Sequence, residues 1–415
     1  MSRNEHEYDV IVVGGGASGM MAAGVAAEQG KKVLLIEKND ELGRKLAISG
    51  GGRCNIFNAE PDSRALLANY GDAAAFLHSA FAEFGLNETE AFFERLGIST
   101  TVEANNRAFP ESQRATDVVY ALVSYLKKSD VEIRTDTAIA RINMKDGEIT
   151  SILAQGFEFS AGSYIFATGG MSHPETGSTG DGFAWLRDLG HTVKEPTPTI
   201  VPLSAREQWI KNLKGTTLPG AKITFYLNGK KSFSKKGDIL LTHFGLSGPI
   251  ILNSAGLVAD LLHEGAVTAA IDLFPGEDTG ILSNSLVKLF DSNKNKILRN
   301  ALMQFLPAGS SEAILELIPT LDPHKKVHSV TKEERRLIVD LIKAMPVTIN
   351  GLMGYSRAVV ADGGVMLEEM DMRTMRSKKI SNLLITGDLL NITRPSGGYS
   401  LQLCWTTGYL AGRNA

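Results

Sequence analysis

The run Tyr8-Asp9-Val10-Ile11-Val12-Val13-Gly14-Gly15-Gly16-Ala17-Ser18-Gly19 decides the reading of this chain. A β-branched segment over Tyr8–Val13 stops at a glycine turn, an alanine-rich stretch follows over 20–29, and a second apolar run over 32–36 ends at Glu37. β-Branched residues favour a strand, and alanine at that density favours a helix. Strand, turn, helix and strand within about 30 residues make a βαβ unit, and with it the start of a parallel sheet.

Each glycine of the turn has a mechanical reason. Gly14 permits the tight turn, Gly16 lets the backbone approach a pyrophosphate, and Gly19 lets the helix pack closely on the strand. The helix that begins at Ala17 and Ser18 turns free amides and the positive end of its dipole toward that pyrophosphate. Glu37, 18 residues past Gly19 and followed by Lys38, can accept both ribose hydroxyls, whereas its carboxylate would repel a 2′-phosphate. This favours FAD or NAD over NADP; the structural alternative is a glycine turn without a ligand.

The chain has 415 residues, enough for two or three domains at roughly 100–200 residues each. With 43 Lys and Arg against 46 Asp and Glu its net charge is −3, which argues against a broad electrostatic grip on nucleic acid or anionic lipid. Cys54 and Cys404 are its only cysteines, so neither a disulfide framework nor a four-cysteine zinc site is expected, and no metal. Residues 1–7 are polar, and no run reaches the roughly 18 apolar residues of a membrane span. A cytoplasmic protein is expected.

Residues 71–128 read as helical, with an N-cap at Asn87 backed by Glu90. A small antiparallel β-meander is expected over 131–153, its strands 138–144 and 148–153 joined at Asp146-Gly147. Three prolines between Pro196 and Pro202 suit a rigid crossing between domains. These signals divide the chain into a first part over 1–195, an insertion over 196–345 and a second part over 346–415. Within the insertion, 200–275 carries β patterning around the turn Asn228-Gly229, and 278–345 is helical, with a capping box of Thr331 and Glu334. The apolar stretch 249–262 reads as one buried helix, and Pro346 as the way out of the insertion.

Further glycine turns extend the first one. Ala167-Thr168-Gly169 and Gly387-Asp388 each follow a buried run, and the Asp388 carboxylate can accept a ribityl hydroxyl. Gly43-Arg44-Lys45-Leu46-Ala47-Ile48-Ser49-Gly50-Gly51-Gly52-Arg53-Cys54-Asn55 joins cations to three successive glycines, as a loop wrapping pyrophosphate and flavin edge would. Ser396-Gly397-Gly398-Tyr399-Ser400 opens a C-terminal helix whose dipole would stabilise negative charge on a reduced flavin. No second G-x-G-x-x-G follows a strand, and there is no Walker loop, H-E-x-x-H, C-x-x-C or G-x-S-x-G.

With these motifs the chain resembles the FAD-dependent oxidoreductases related to aminoacetone oxidase and the BaiN-type flavoproteins. The resemblance runs through most of the chain and rests on the opening glycines, on 43–55, on 167–182 (ATGGMSHPETGSTGDG), on 242–249 (THFGLSGP), and on 397–402 with Thr407-Gly408. It implies an α/β fold: a glutathione-reductase-like Rossmann FAD domain interrupted by an inserted β-barrel plus helical domain. Two positions depart from the family pattern: Asp388, where Gly-Glu is usual, and Ser400, where Gly-Gly-Tyr-Asn is usual.

The candidate acids and bases are His243, Tyr399 and Arg53, with His173 ranked below His243, whose motif matches the family. Ser247 is a candidate cap for the helix starting at Pro249. The expected activity is hydride transfer between a small amine or an activated alkene and noncovalent FAD, with oxygen or NAD(P)H as the other partner. A flavin-dependent RNA-modifying enzyme is the alternative, and Lys230, Lys231, Lys235 and Lys236 are its local basic candidates. A protein that holds FAD without turnover is a third.

Overall fold

A computed structural model describes residues 7–415. The polar segment expected to be no leader thus lies, except for Glu7, outside the described residues. The chain divides into two compact units, residues 1–198 with 359–415, and residues 199–358.

The first unit is built on a five-stranded parallel sheet. Its strands are β1 (Tyr8–Val13), β2 (Val33–Ile36), β3 (Glu132–Arg134), β4 (Ala161–Phe166) and β5 (Leu383–Ile385), in the order β5-β4-β1-β2-β3. Val10, Ile11 and Val12 are fully buried, as a parallel sheet covered on both faces requires. Helix α1 (Ala17–Glu28) is buried nearly all round, and its small residues let α3 (Tyr399–Asn414) lie close against it. A Cβ on Gly408 would fall 2.5 Å from Ser18 O, and one on Gly412 would fall 2.4 Å from Ala22 O. Side chains there would push the two helices apart.

The strand at 131–135 belongs to this parallel sheet, not to the meander. Ile36 pairs with Arg134, and the meander is instead Ile139–Lys145, Glu148–Ala154 and Phe157–Phe159. Its Asp146-Gly147 turn has positive φ at both residues (51° and 82°), the geometry that a two-residue hairpin demands. The helix expected to be capped at Asn87 starts earlier, at Leu86 after Gly85, with Glu88 accepting from Gly85 N.

The proline-rich crossing is a strand. Val193–Pro198 pairs antiparallel with Ala361–Val365, with the ladder interrupted between Lys194 and Thr197 where Pro196 has no N–H to give.

The second unit holds a closed six-stranded barrel, in the order Leu203–Ala205, Gly245–Ser247, Lys230–Leu241, Thr217–Leu227, Val267–Asp272 and Met345–Leu352. Phe225 and Phe233 stack inside it with centroids 4.8 Å apart. Helices Thr279–Ser292 and Lys332–Lys343, with shorter ones between, share its apolar core. Pro346 is not the exit: Met345–Leu352 closes the barrel by pairing with Val267–Asp272 and Leu203–Ala205, and the unit ends at Ala358. The apolar stretch at 249–262 breaks into Pro249–Leu252 and Ala255–Glu264, and Ser254 Oγ donates to Ile250 O at 2.6 Å at the break. Gly248, not Ser247, precedes the first of these helices.

Candidate functional site

The carboxyl ends of the strands form one line. Gly14 N donates to Ile36 O (2.8 Å), Ala167 N to Val13 O (2.9 Å) and Thr386 N to Phe166 O (3.1 Å), so the turns after β2, β1, β4 and β5 are stitched side by side. Such a crevice is where open α/β sheets hold their ligands. Gly14 must be glycine: its φ is +105°, and a Cβ would fall 2.5 Å from Ala167 O.

Glu37 marks one end. It is buried, accepts from Gly15 N at 2.7 Å through Oε2, and from Asn39 N and Nδ2 at 2.9 and 2.8 Å through Oε1. Asn39, which the sequence reading passed over, fixes this carboxylate. Beside it lies an open cleft lined by Glu37, Lys38, Thr137, Ile139, Gly177 and Trp185. Lys38 spans its rim to Asp181 (2.7 Å) and Thr179 (2.5 Å); burial would raise the Asp181 pKa, but the bonds that its carboxylate accepts from Lys38 and from Thr179 Oγ1 (2.8 Å) hold it below its ordinary value.

Asp388 marks the other end, three strands from Glu37 and hence about 14 Å away at ~4.8 Å per strand. Its Oδ2 accepts from Lys45 Nζ at 3.0 Å and its Oδ1 from Arg394 Nη2. Burial alone would raise its pKa; Lys45 and Arg394 together hold it well below the carboxylate range. Gly387 N donates to Thr407 Oγ1 (3.0 Å), and Thr386 Oγ1 donates to Ser18 Oγ (3.1 Å), which ties this turn to α1 and α3.

Helix α2 (Arg44–Gly52) carries Lys45 into the crevice, where Nζ also donates to Ser172 Oγ at 3.3 Å. The helix unwinds at Ser49, and Gly50 and Gly51 take left-handed φ of 57° and 69°. Asn55 then joins this loop to the C-terminal motif: its amide accepts from Gly398 N at 2.9 Å and donates to Phe57 O and Ala108 O at 3.1 Å. Asn58 Nδ2 donates to Gly397 O at 2.9 Å. Gly398 has φ +102°, and a Cβ there would fall 2.3 Å from Phe57 C.

The remaining candidates are placed as follows. Arg44 pairs with Asp40 at 2.5 Å on the surface. Arg53 lies over the Phe109 ring (4.0 Å), donates to Gln113 Oε1 at 2.5 Å and pairs with Glu103, so its guanidinium is engaged by residues outside the glycine motifs. Cys54 is buried and its thiol is pushed up to about 12 by that burial, so it carries no thiolate at neutral pH. Tyr399 opens α3, half-buried, its ring edge-on to Tyr70 at 5.9 Å; burial raises its pKa. Ser400 Oγ accepts from Arg394 Nε at 3.1 Å. His243 belongs to the barrel unit, exposed, with its ring 4.9 Å from that of Phe244. His173 holds Glu175 at 2.7 Å. Like Asn39, Arg394 was missed by sequence reasoning, because a buried arginine has no periodic signature.

The residues present fit FAD. Gly16 has nothing within 4 Å of where a Cβ would stand, and it caps α1 with no side-chain acceptor, which leaves room for a ligand at this helix N-terminus. The distance from Glu37 to Asp388 suits the extended cofactor, with adenosine at one end and the ribityl–flavin half at the other.

The family pattern described as HI0933-like protein Rossmann domain matches residues 8–414. The chain belongs to this family. Among its relatives, 3-dehydro-bile acid delta(4,6)-reductase of Clostridium scindens is 28% identical over 410 residues, covering 97% of this chain and 98% of the relative. Ribosomal RNA dihydrouridine synthase of Escherichia coli is 27% identical over 402 residues, 97% of this chain and 96% of the relative. In fold, this family member is similar to 3-ketosteroid-delta4-(5alpha)-dehydrogenase from Rhodococcus jostii, with a TM-score of 0.53 at 15% identity, over 100% of this chain and 97% of the other. The protein is an FAD-dependent oxidoreductase. Among the described residues no helix is long and apolar enough to cross a membrane.

Proposed function

We propose that this family member reduces a carbon–carbon double bond conjugated to a carbonyl group. The observation that carries this reading is that two near-full-length relatives with dissimilar substrates are named for that one chemistry: a 3-dehydro-bile acid Δ4,6-reductase and a dihydrouridine synthase. Saturating such a bond adds a hydride to the carbon β to the carbonyl and a proton to the α-carbon, with NAD(P)H as the balancing reductant. When bound, FAD supplies the hydride chemistry at N5.

The chain's part is to bind, orient and supply the proton. Glu37 and the Gly14–Gly19 turn hold the adenosine diphosphate half, and Asp388 accepts a ribityl hydroxyl. Lys38, Lys45, Ser49, Gly51, Asn55, Thr168 and Gly169 line the rest of the cofactor's path. Tyr399, half-buried at the start of α3, is the proton donor in this reading.

The test is anaerobic. Flavin bleached by NADH or NADPH and then recoloured by a 3-oxo-Δ4-steroid supports the reading; bleaching by aminoacetone, with no recolouring by the enone, contradicts it.

A second reading has its own support. On the barrel hairpin Lys222 lies directly across from Lys236, and Tyr226 across from Lys231, with Thr224 and Ser234 between. Like charges face each other on one strand pair, which favours a polyanionic partner. Ribosomal RNA is the substrate this would suit. Its test is retention of rRNA that weakens with salt, and retention equal to that of a Lys231→Glu, Lys236→Glu variant would sink it.

A further inference from the structure

Arg394 lies between Asp388, after β5, and Ser400, in the first turn of α3. Its side chain is 1% exposed. Nη2 donates to Asp388 Oδ1, Nε donates to Ser400 Oγ at 3.1 Å, and Nη1 donates to Ile392 O at 2.8 Å. One guanidinium thus joins the carboxylate after β5 to the first turn of α3.

The arrangement is electrostatically unusual. Taking a guanidinium out of water is costly, and placing it beside a helix N-terminus sets it against the helix dipole. Gly398, which caps α3, contributes no side-chain acceptor to offset this. Asp388 is the paired anion, and it is shared with Lys45; Asp362 also raises the Arg394 pKa. A residue needed only to fill space would not require a charge. The combination places two cations, Lys45 and Arg394, at the Asp388 end of the crevice, the end opposite the Glu37 ribose anchor. The flavin half of the cofactor belongs at that end, and reduction adds negative charge to its ring.

We propose that Arg394 is a positioning residue that sets the reduction potential of the bound flavin: it fixes Asp388 and Ser400 and, with the N-terminus of α3, favours the reduced, negatively charged ring. The inference rests on FAD occupying the crevice, and wild-type protein that takes up no FAD would remove that premise before Arg394 is touched.

The test is the midpoint potential of the FAD-loaded protein, measured by equilibration with a reference dye. Arg394→Met removes the charge, Arg394→Gln removes it while keeping hydrogen-bond donors for Asp388 and Ser400, and Arg394→Lys keeps it. Both neutral variants are expected to shift the equilibrium about tenfold toward oxidised flavin, about 30 mV for a two-electron couple. The Lys variant is expected to recover most of that shift. A thermal melt alongside reports any purely structural damage, and if the Met variant does not fold the Gln and Lys variants carry the comparison. FAD bound at wild-type potential in a neutral variant, or a Lys variant that falls as far as Gln, would overturn the proposal.

Discussion

Glu37 is held on both carboxylate oxygens before any ligand is considered, so replacing it has two effects. Glu37→Ala removes the ribose acceptor and frees Gly15 N and Asn39 from their shared partner. FAD affinity is expected to fall about tenfold to a hundredfold, the range for a hydrogen bond to a charged group, as read by FAD release on gel filtration. Unchanged affinity would place the ribose elsewhere. At Gly398 the backbone is the issue: Gly398→Ala puts a Cβ 2.3 Å from Phe57 C at φ +102°. A loss of at least about 1–3 kcal/mol in denaturant stability is expected from the backbone alone.

His191 gives a pH-dependent prediction. Its ring is buried, with Nδ1 on Glu369 (2.8 Å) and Nε2 on Ser377 Oγ (2.9 Å), and Lys379 pairs with the same Glu369 at 2.7 Å. Burial lowers the His191 pKa, and Lys379 adds to that against the pull of Glu369. Despite the opposing effect of burial, bonds from Lys379, Thr192 and His191 bring Glu369 from 4.5 to about 2. Both groups bind protons more readily in the unfolded chain, so stability rises with pH over their windows. It is expected to be complete above the ordinary histidine pKa of 6.5, to decline as pH falls below it, and to decline further from 4.5 toward 2. Denaturant midpoints from pH 8 to pH 5 test the first window, where His191→Gln should flatten the profile. A wild-type profile already flat there would contradict the assignment.

At the scale of elements, what was legible in the sequence was what is local. The βαβ start and the hairpins at Asp146-Gly147 and Asn228-Gly229 follow from glycine turns and β-branched runs, whose causes lie within a few residues. What stayed hidden depends on distant partners. Residues 131–135 look like any short strand, and only pairing with β2, about a hundred residues earlier, puts them in the parallel sheet. Leu203–Ala205 and Gly245–Ser247 are three residues each, too short for a periodic signal, and Pro346 reads as a breaker although it sits within a barrel strand. The candidate site follows the same rule. Lys45, Asn55 and Gly398 stood out because their motifs are long and Asp388 because it follows a buried run, whereas Asn39 and Arg394 act through bonds that no motif encodes. The α1–α3 contact belongs to this scale too. Gly408→Val is expected to cost about 1–3 kcal/mol by overpacking, seen as a lower melting temperature. An unchanged melt would mean that the helices can part freely.

For the whole molecule, the division into two units is itself testable. Residues 199–358 contain a closed barrel with its own apolar core, and the chain meets itself where Met353 N donates to Pro202 O at 2.9 Å. A fragment of those residues is expected to unfold cooperatively, as separate domains do; a broad, non-cooperative transition by circular dichroism would show that its core is incomplete.

The most direct measurement for the central claim is the visible spectrum of the purified protein after incubation with FAD and gel filtration, compared with that of the Glu37→Ala, Asp388→Ala double variant. The account predicts a yellow wild-type protein with one flavin per chain and a double variant that emerges colourless though folded. A colourless wild type, or a double variant that retains FAD equally well, would contradict it.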